Sequence, residues 1–177
     1  MDIRDALPVH AAASDATPAN EARSLRIGGL VERPHALSAA DLDLLPRQRL
    51  VERFVCEEGW AVPSLDWEGI PLRAIVAACK PLPEASYAQV RAGSYWVSLA
   101  FDDLDKALLC DRLNGEPLAR EHGAPWRLVV SGGACFTSVK WVSALDITAE
   151  PGMATAERIA RDRIATESPE SPKAPDE

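Results

Sequence analysis

The chain has 177 residues, of which 47% are hydrophobic and 26% charged, and its net charge is −8. That is the balance of a globular domain large enough to build a real core. No basic block offers a nucleic-acid footprint, and no apolar run approaches the roughly 20 residues that cross a bilayer. The opening residues lack the basic start and unbroken apolar stretch of a secretory signal, so the sequence predicts a cytoplasmic location.

Three zones divide the chain. Residues 1–23, rich in Ala, Ser, Asp and Pro, predict a loose arm. Residues 24–149 hold all five tryptophans and nearly all the β-branched runs. Residues 150–177 predict a short helix and then a disordered acidic tail. Within the core, Ser24–Val31 alternates as a strand. Ser38–Leu45 predicts a short helix with Ser38 as N-cap and Asp41 three residues later. Gln48–Cys56 alternates again. Pro71–Cys79 predicts a helix with Pro71 in its first position and Leu72, Ile75, Val76 and Cys79 on one face. Strands are expected at Tyr87–Arg91 and Tyr95–Phe101, and a helix at Asp102–Leu109. Asn114-Gly115 signals a tight turn, and Arg127–Val130 and Val139–Ile147 read as the last strands. Short strands with interspersed helices point to an α+β domain built on mixed β-sheet.

Common catalytic signatures are missing. There is no Gly-rich phosphate loop, no dinucleotide fingerprint, no H-E-x-x-H and no G-x-S-x-G. His10, His35 and His122 are far apart, which argues against a hydrolytic triad or three-histidine metal site. Cys56, Cys79, Cys110 and Cys135 are separated by 23, 31 and 25 residues, so no C-x-x-C pair supports a zinc ribbon or a thioredoxin-like motif. Buried, reduced and inert is the plain reading of all four.

Two segments nonetheless carry chemistry. Cys56 ends an apolar strand ahead of a Gly-containing turn, a place where a strand delivers a thiol to a cleft edge. A thiolate there could ligate a soft metal or act as a nucleophile; a buried, inert cysteine is the alternative. Glu57 and Glu58 would raise its pKa, so activation needs a metal or a cation. Later, His122, Arg127 and Lys140 bracket a strand pair beside the turn Ser131-Gly132-Gly133. Arg clamps phosphate through two donors and Lys adds a point charge, so these residues suit an anion pocket. Surface cations on solvated strand faces are the alternative, and the tryptophans at 60, 67, 126 and 141 are read as core packing.

Taken in order, Cys56-Glu57-Glu58-Gly59-Trp60, Trp67-Glu68-Gly69-Ile70-Pro71-Leu72, Asn114-Gly115-Glu116-Pro117-Leu118, His122–Val130 and Ser138-Val139-Lys140-Trp141 resemble the molybdopterin-binding domain of the sulfite oxidase family. The likeness spans residues 56–142, with a weaker lead-in over 29–46. It implies the mixed-sheet fold of that domain and a molybdenum–molybdopterin cofactor. Cys56 falls on the metal-ligating, catalytic cysteine. His122, Arg127 and Lys140 fall where the pterin and its phosphate are held, and Ser138 and Val139 where backbone contacts are made.

The resemblance implies a two-electron oxidoreductase transferring an oxygen atom at sulfur or nitrogen of a small substrate. Arginines that follow the metal cysteine in animal and plant sulfite oxidases are replaced here by Glu57-Glu58-Gly59-Trp60, which is nearer the bacterial sulfoxide-reductase-like branch. Thr137 and Ser131 replace a lysine and a proline of that branch. No C-x-x-C-H haem motif occurs, so a separate electron-transfer partner is implied. Two other readings follow from the residues: a cofactor-binding or interaction module that has lost catalysis, and a metal-free thiol enzyme using Cys56 with His122 as base.

Overall fold

The computed structural model describes Leu7, residues 24–56 and residues 59–167. The rest of the arm, Glu57, Glu58 and residues 168–177 lie outside the described residues.

Strand β1 (Ser24–Gly29) turns back through β2 (His35–Ser38) into helix α1 (Ala39–Asp43). The expected cap is present: Asp41 N–H donates to Ser38 Oγ at 3.2 Å, and Ser38 N–H donates to Asp41 Oδ2 at 2.8 Å. Ser38 Oγ–H, donating to Asp41 Oδ2 at 2.6 Å, together with the Ser38 N–H bond, holds the Asp41 carboxyl below its ordinary pKa. Next come β3 (Gln48–Val55), the long β4 (Ala61–Pro71) and α2 (Leu72–Ala78). β5 (Tyr87–Ala92) and β6 (Tyr95–Ala100) form a hairpin, followed by a 3₁₀ turn at Phe101–Lys106 and β7 (Ala107–Leu113). β8 (Glu116–Pro117), β9 (Arg127–Val130), β10 (Ala144–Thr148) and α3 (Ala156–Glu167) complete the order.

Two sheets result. The first runs β2-β1-β10-β5-β6, with β1 and β10 parallel. The second runs β3-β4-β7-β8, with β9 also paired to β7. Asn114 and Gly115 make the β7–β8 turn at φ 52° and 81°, the two positive angles that tight hairpins require. Each sheet has its own apolar cluster. Leu25, Ile27, Ile75, Val90, Leu145 and Ile147 belong to the first, and Phe54, Val62, Leu65, Trp67, Leu113 and Val129 to the second. Full burial of each such side chain contributes about 1.5–3 kcal/mol. β9 serves both: Leu128 joins the first cluster, while Val129 joins the second. Arg127, two residues from Val129, lies over Trp67 of that second cluster.

Several expectations need correction. Asp102–Leu109 is not one helix. The 3₁₀ turn stops at Lys106, and Ala107–Cys110 are buried strand residues between β4 and β9. A central strand buried on both faces shows an unbroken apolar run, which periodicity cannot separate from a short helix. Val139–Ile147 is extended only from Ala144, because Trp141 sits at φ 57° and breaks the line. Pro71 is the N-cap of α2, one position before its first turn.

β4 runs through Pro63, Gly69 and Pro71, residue types that ordinarily interrupt strands. Pro63 falls where the β3–β4 register shifts, so no ladder bond is lost. Gly69 is required by close approach: a Cβ there would overlap the Leu109 carbonyl oxygen on β7. Among the described residues, no helix is long and apolar enough to cross a membrane.

Candidate functional site

β3 alternates, and Glu52, Phe54 and Cys56 fall on the inward side; Phe54 and Cys56 are buried. Exposed ion pairs brace the strand on its neighbours. Arg47 binds Glu68 and Asp111, and Arg49 binds Asp66. Such pairs are worth at most about 1 kcal/mol each, so their role here is register. Beyond β3 the chain reverses. Gly59 N–H donates to the Cys56 carbonyl at 3.0 Å, and Cys56 N–H donates to the Trp60 carbonyl at 2.9 Å. Gly59 adopts φ 91° to make this turn. Trp60 then stacks on Phe54 with ring centroids 5.8 Å apart. The turn therefore fixes the Cys56 backbone and leaves its side chain on the buried face.

Cys56 Sγ lies 3.1 Å from Cys135 Sγ. Sequence reasoning missed this partner, because 79 residues separate the two and nothing local links them. The available signal was the position of Cys135, two residues beyond the Ser131-Gly132-Gly133 turn already read as an anion pocket. Cys135 opens a 3₁₀ turn, Cys135–Thr137, and is half-buried. Neighbouring hydroxyls are committed locally: Thr137 Oγ1 donates to the Ala134 carbonyl at 2.7 Å, and Ser131 Oγ donates to Glu52 Oε2 at 2.8 Å. Cys79 and Cys110 are sealed in the core, where burial pushes the Cys79 thiol up to about 11 and the Cys110 thiol still higher. The plain inert reading fits those two.

Arg127, on β9, is only 4% exposed. Its guanidinium lies 5.4 Å from the Phe54 ring centroid and 5.1 Å from that of Trp67. One terminal nitrogen donates to the His122 carbonyl at 3.2 Å. Among the described residues no carboxylate pairs with it, and its Nε has no hydrogen-bond partner. Burial pulls its pKa down to about 10, with the thiols of Cys110 and Cys135 and the Tyr95 hydroxyl opposing the shift. A buried cation without a protein anion is costly, and a bound anion relieves that cost. Cys135 and Phe54 thus join Arg127 to the Cys56 region.

His122 is buried at the end of the 3₁₀ turn Arg120–His122. Gly123 follows at φ 116°, and a Cβ there would stand 3.1 Å from both Cα and Cβ of Lys140. Trp141 N–H donates to the Gly123 carbonyl at 3.1 Å, and the Trp141 ring N–H donates to the Arg120 carbonyl at 2.7 Å. Lys140 Nζ donates to the Glu121 carbonyl at 2.9 Å. The His122 turn and the Lys140 segment are therefore locked face to face. Val139 is fully buried, and its carbonyl accepts from Leu128 N–H at 2.8 Å; Ser138 N–H donates to the Cys135 carbonyl at 3.1 Å. Cys56 is linked to Arg127 through Phe54 and Cys135, Arg127 to the His122 carbonyl, and the His122 turn to Lys140 through Gly123, with Ser138 and Val139 between the Cys135 turn and Lys140 in sequence.

Gly123→Ala is expected to cost about 1–3 kcal/mol in denaturant unfolding, from left-handed strain together with the Lys140 contact. An unchanged midpoint would show that the lock is slack. A separate cleft of about 210 Å³ lies between α1 and the β7–β8 region, lined by Leu42, Asp111, Arg112 and Trp126 among others. None of the candidate residues lines it.

Residues 12–156 match the model of the oxidoreductase molybdopterin-binding domain. The chain is 32% identical over 130 residues to the uncharacterized oxidoreductase YuiH of Bacillus subtilis (strain 168), covering 72% of this chain and 66% of that one. It is 29% identical over 136 residues to the protein-methionine-sulfoxide reductase catalytic subunit MsrP of Xanthomonas axonopodis pv. citri (strain 306), covering 66% of this chain and 42% of that one. Among solved structures, the sulfane dehydrogenase SoxCD of Paracoccus pantotrophus superposes with a TM-score of 0.69 at 25% identity, over 83% of this chain and 42% of its own. The mixed-sheet fold is thus that of this structural class. The chain spans just under two thirds of YuiH and less than half of the MsrP and SoxCD chains.

Proposed function

Because the chain belongs to the family of oxidoreductases with a molybdopterin-binding domain, we propose that it is a two-electron oxidoreductase acting at a sulfur or nitrogen centre of a small substrate, with Cys56 as the protein's ligand to molybdenum. The observation that carries this reading is Arg127: a buried guanidinium with no carboxylate partner among the described residues, lying 5.4 Å from the ring of Phe54, two residues before Cys56. The residues present fit the cofactor. Cys56 offers a soft thiol, and Arg127 near it, with Lys140 and His122 across the Gly123 turn, offers groups that suit a phosphate. Among the described residues no group of three or more His, Cys, Asp or Glu side chains could hold a metal.

When bound, the cofactor supplies the two-electron redox chemistry of molybdenum. The chain's own contribution is placement. β3 and the Gly59 turn aim the Cys56 thiolate, and Phe54 with Trp60 forms an apolar wall beside it. Arg127 would offset the phosphate's charge from a buried position, and Lys140, packed against Gly123, would add a second cation. A sulfur centre is favoured because MsrP and SoxCD are named for reactions at sulfur, and oxygen-atom transfer is the form of the reaction we assign. Electrons would pass to or from a separate protein.

The test is elemental and pterin analysis of the full chain from a host that synthesises the cofactor. About one molybdenum per chain is expected. A molybdenum-free preparation, from a host in which a family relative loads normally, overturns the reading. Molybdenum without turnover of any sulfite, sulfoxide or N-oxide would instead identify a non-catalytic cofactor-binding module.

A further inference from the structure

We infer that Cys56 and Cys135 are a redox-sensitive pair: in the cofactor-free chain they close into a reversible disulfide that withdraws Cys56 from metal binding. The second half of this inference rests on Cys56 being the ligand; the first half does not. The sulfurs are 3.1 Å apart, and a covalent bond near 2.0 Å needs only a small approach. Cys135 is on the side that can give. It opens a three-residue 3₁₀ turn just after Gly132-Gly133-Ala134 and has one backbone hydrogen bond, from Ser138 N–H, whereas Cys56 is held by two across the Gly59 turn. Cys135 is half-buried, so a small reagent can reach the pair from its side. Cys79 and Cys110 are buried in different apolar clusters and provide internal controls.

The step balances with a small disulfide as oxidant. One thiol of the pair, as thiolate, attacks the reagent's S–S bond and expels one reagent thiol. The other then attacks the mixed disulfide and expels the second. Two protons and two electrons leave the Cys56–Cys135 pair, and one reagent disulfide becomes two thiols.

Full-length chain from a host unable to make the pterin is treated with oxidised glutathione, alkylated and mapped by mass spectrometry. Two of the four thiols are expected to be lost, with one cross-linked peptide pair joining Cys56 to Cys135, reversed by dithiothreitol. Cys135→Ser is expected to abolish that cross-link. Oxidised chain mixed with the isolated cofactor is expected to take up no molybdenum until it is reduced. Four alkylatable thiols, a glutathione adduct that never resolves, or pairing with Cys79 or Cys110 would overturn the inference. Chain already loaded with molybdenum should resist the same oxidant. If loaded chain cross-links equally fast and keeps its metal, the pair is real but ligation by Cys56 is refuted, so the two failures are distinguishable.

Discussion

Cys56→Ser is expected to reduce molybdenum-dependent turnover to background while leaving the fold in place. The substitution exchanges one sulfur for one oxygen at a side chain that is 7% exposed. Its backbone bonds to Gly59 and Trp60 are untouched, so the turn after β3 should persist. A hydroxyl is a harder and far less acidic donor than a thiol, and it does not replace a thiolate on a soft metal. The packing cost should stay near 1 kcal/mol, a shift of about 2–4 °C in thermal midpoint for a chain of this size. Molybdenum content, turnover and thermal unfolding, measured on the same preparation, check this. Full activity in the variant would remove Cys56 from the metal.

Arg127→Met should separate cofactor binding from folding. Burial pulls the guanidinium's pKa down to about 10, which corresponds to a cost on the order of 3 kcal/mol for keeping the charge buried. The sign follows from proton counts. Above about pH 10 the folded chain has lost this proton while the unfolded chain still holds it, so the group's destabilisation eases as pH rises past that point. At neutral pH the full cost is present. Methionine keeps an unbranched apolar stem against Phe54 and Trp67 and removes the charge. It also forfeits the bond to the His122 carbonyl, worth about 1 kcal/mol. The cofactor-free variant should therefore be at least as stable as the parent, yet bind no pterin. Arg127→Lys should bind weakly, because it retains charge without the two-pronged donor geometry. Thermal unfolding of the cofactor-free protein and pterin content after loading are the two readouts. A variant that loads normally, or one that unfolds far below the parent, would make Arg127 a packing residue rather than an anion site.

Local chemistry was legible where the deciding interaction is local. Ser38 and Asp41 cap α1 three residues apart, and Asn114-Gly115 turns a hairpin through its own φ angles. The alternation of β3 places Cys56 at a buried strand end. His122, Arg127, Ser138, Val139 and Lys140 could be gathered as candidates because their order and spacing match a family pattern. β7 and β4 were not legible in the same way. Ala107–Cys110 is a strand because β4 and β9 flank it. β4 keeps its prolines and Gly69 because register shifts and a close backbone approach accommodate them.

The amino-acid order alone therefore determined the domain class, the cysteine that ends β3 and the cations gathered after residue 120. Tertiary structure alone decided that Arg127 is buried with no carboxylate partner among the described residues and that Cys135 stands beside Cys56. The physical reason is range. Caps, turns and strand alternation act over a few residues. The desolvation of a charge and the meeting of two sulfurs depend on which distant strands enclose them, and only the packed chain specifies that.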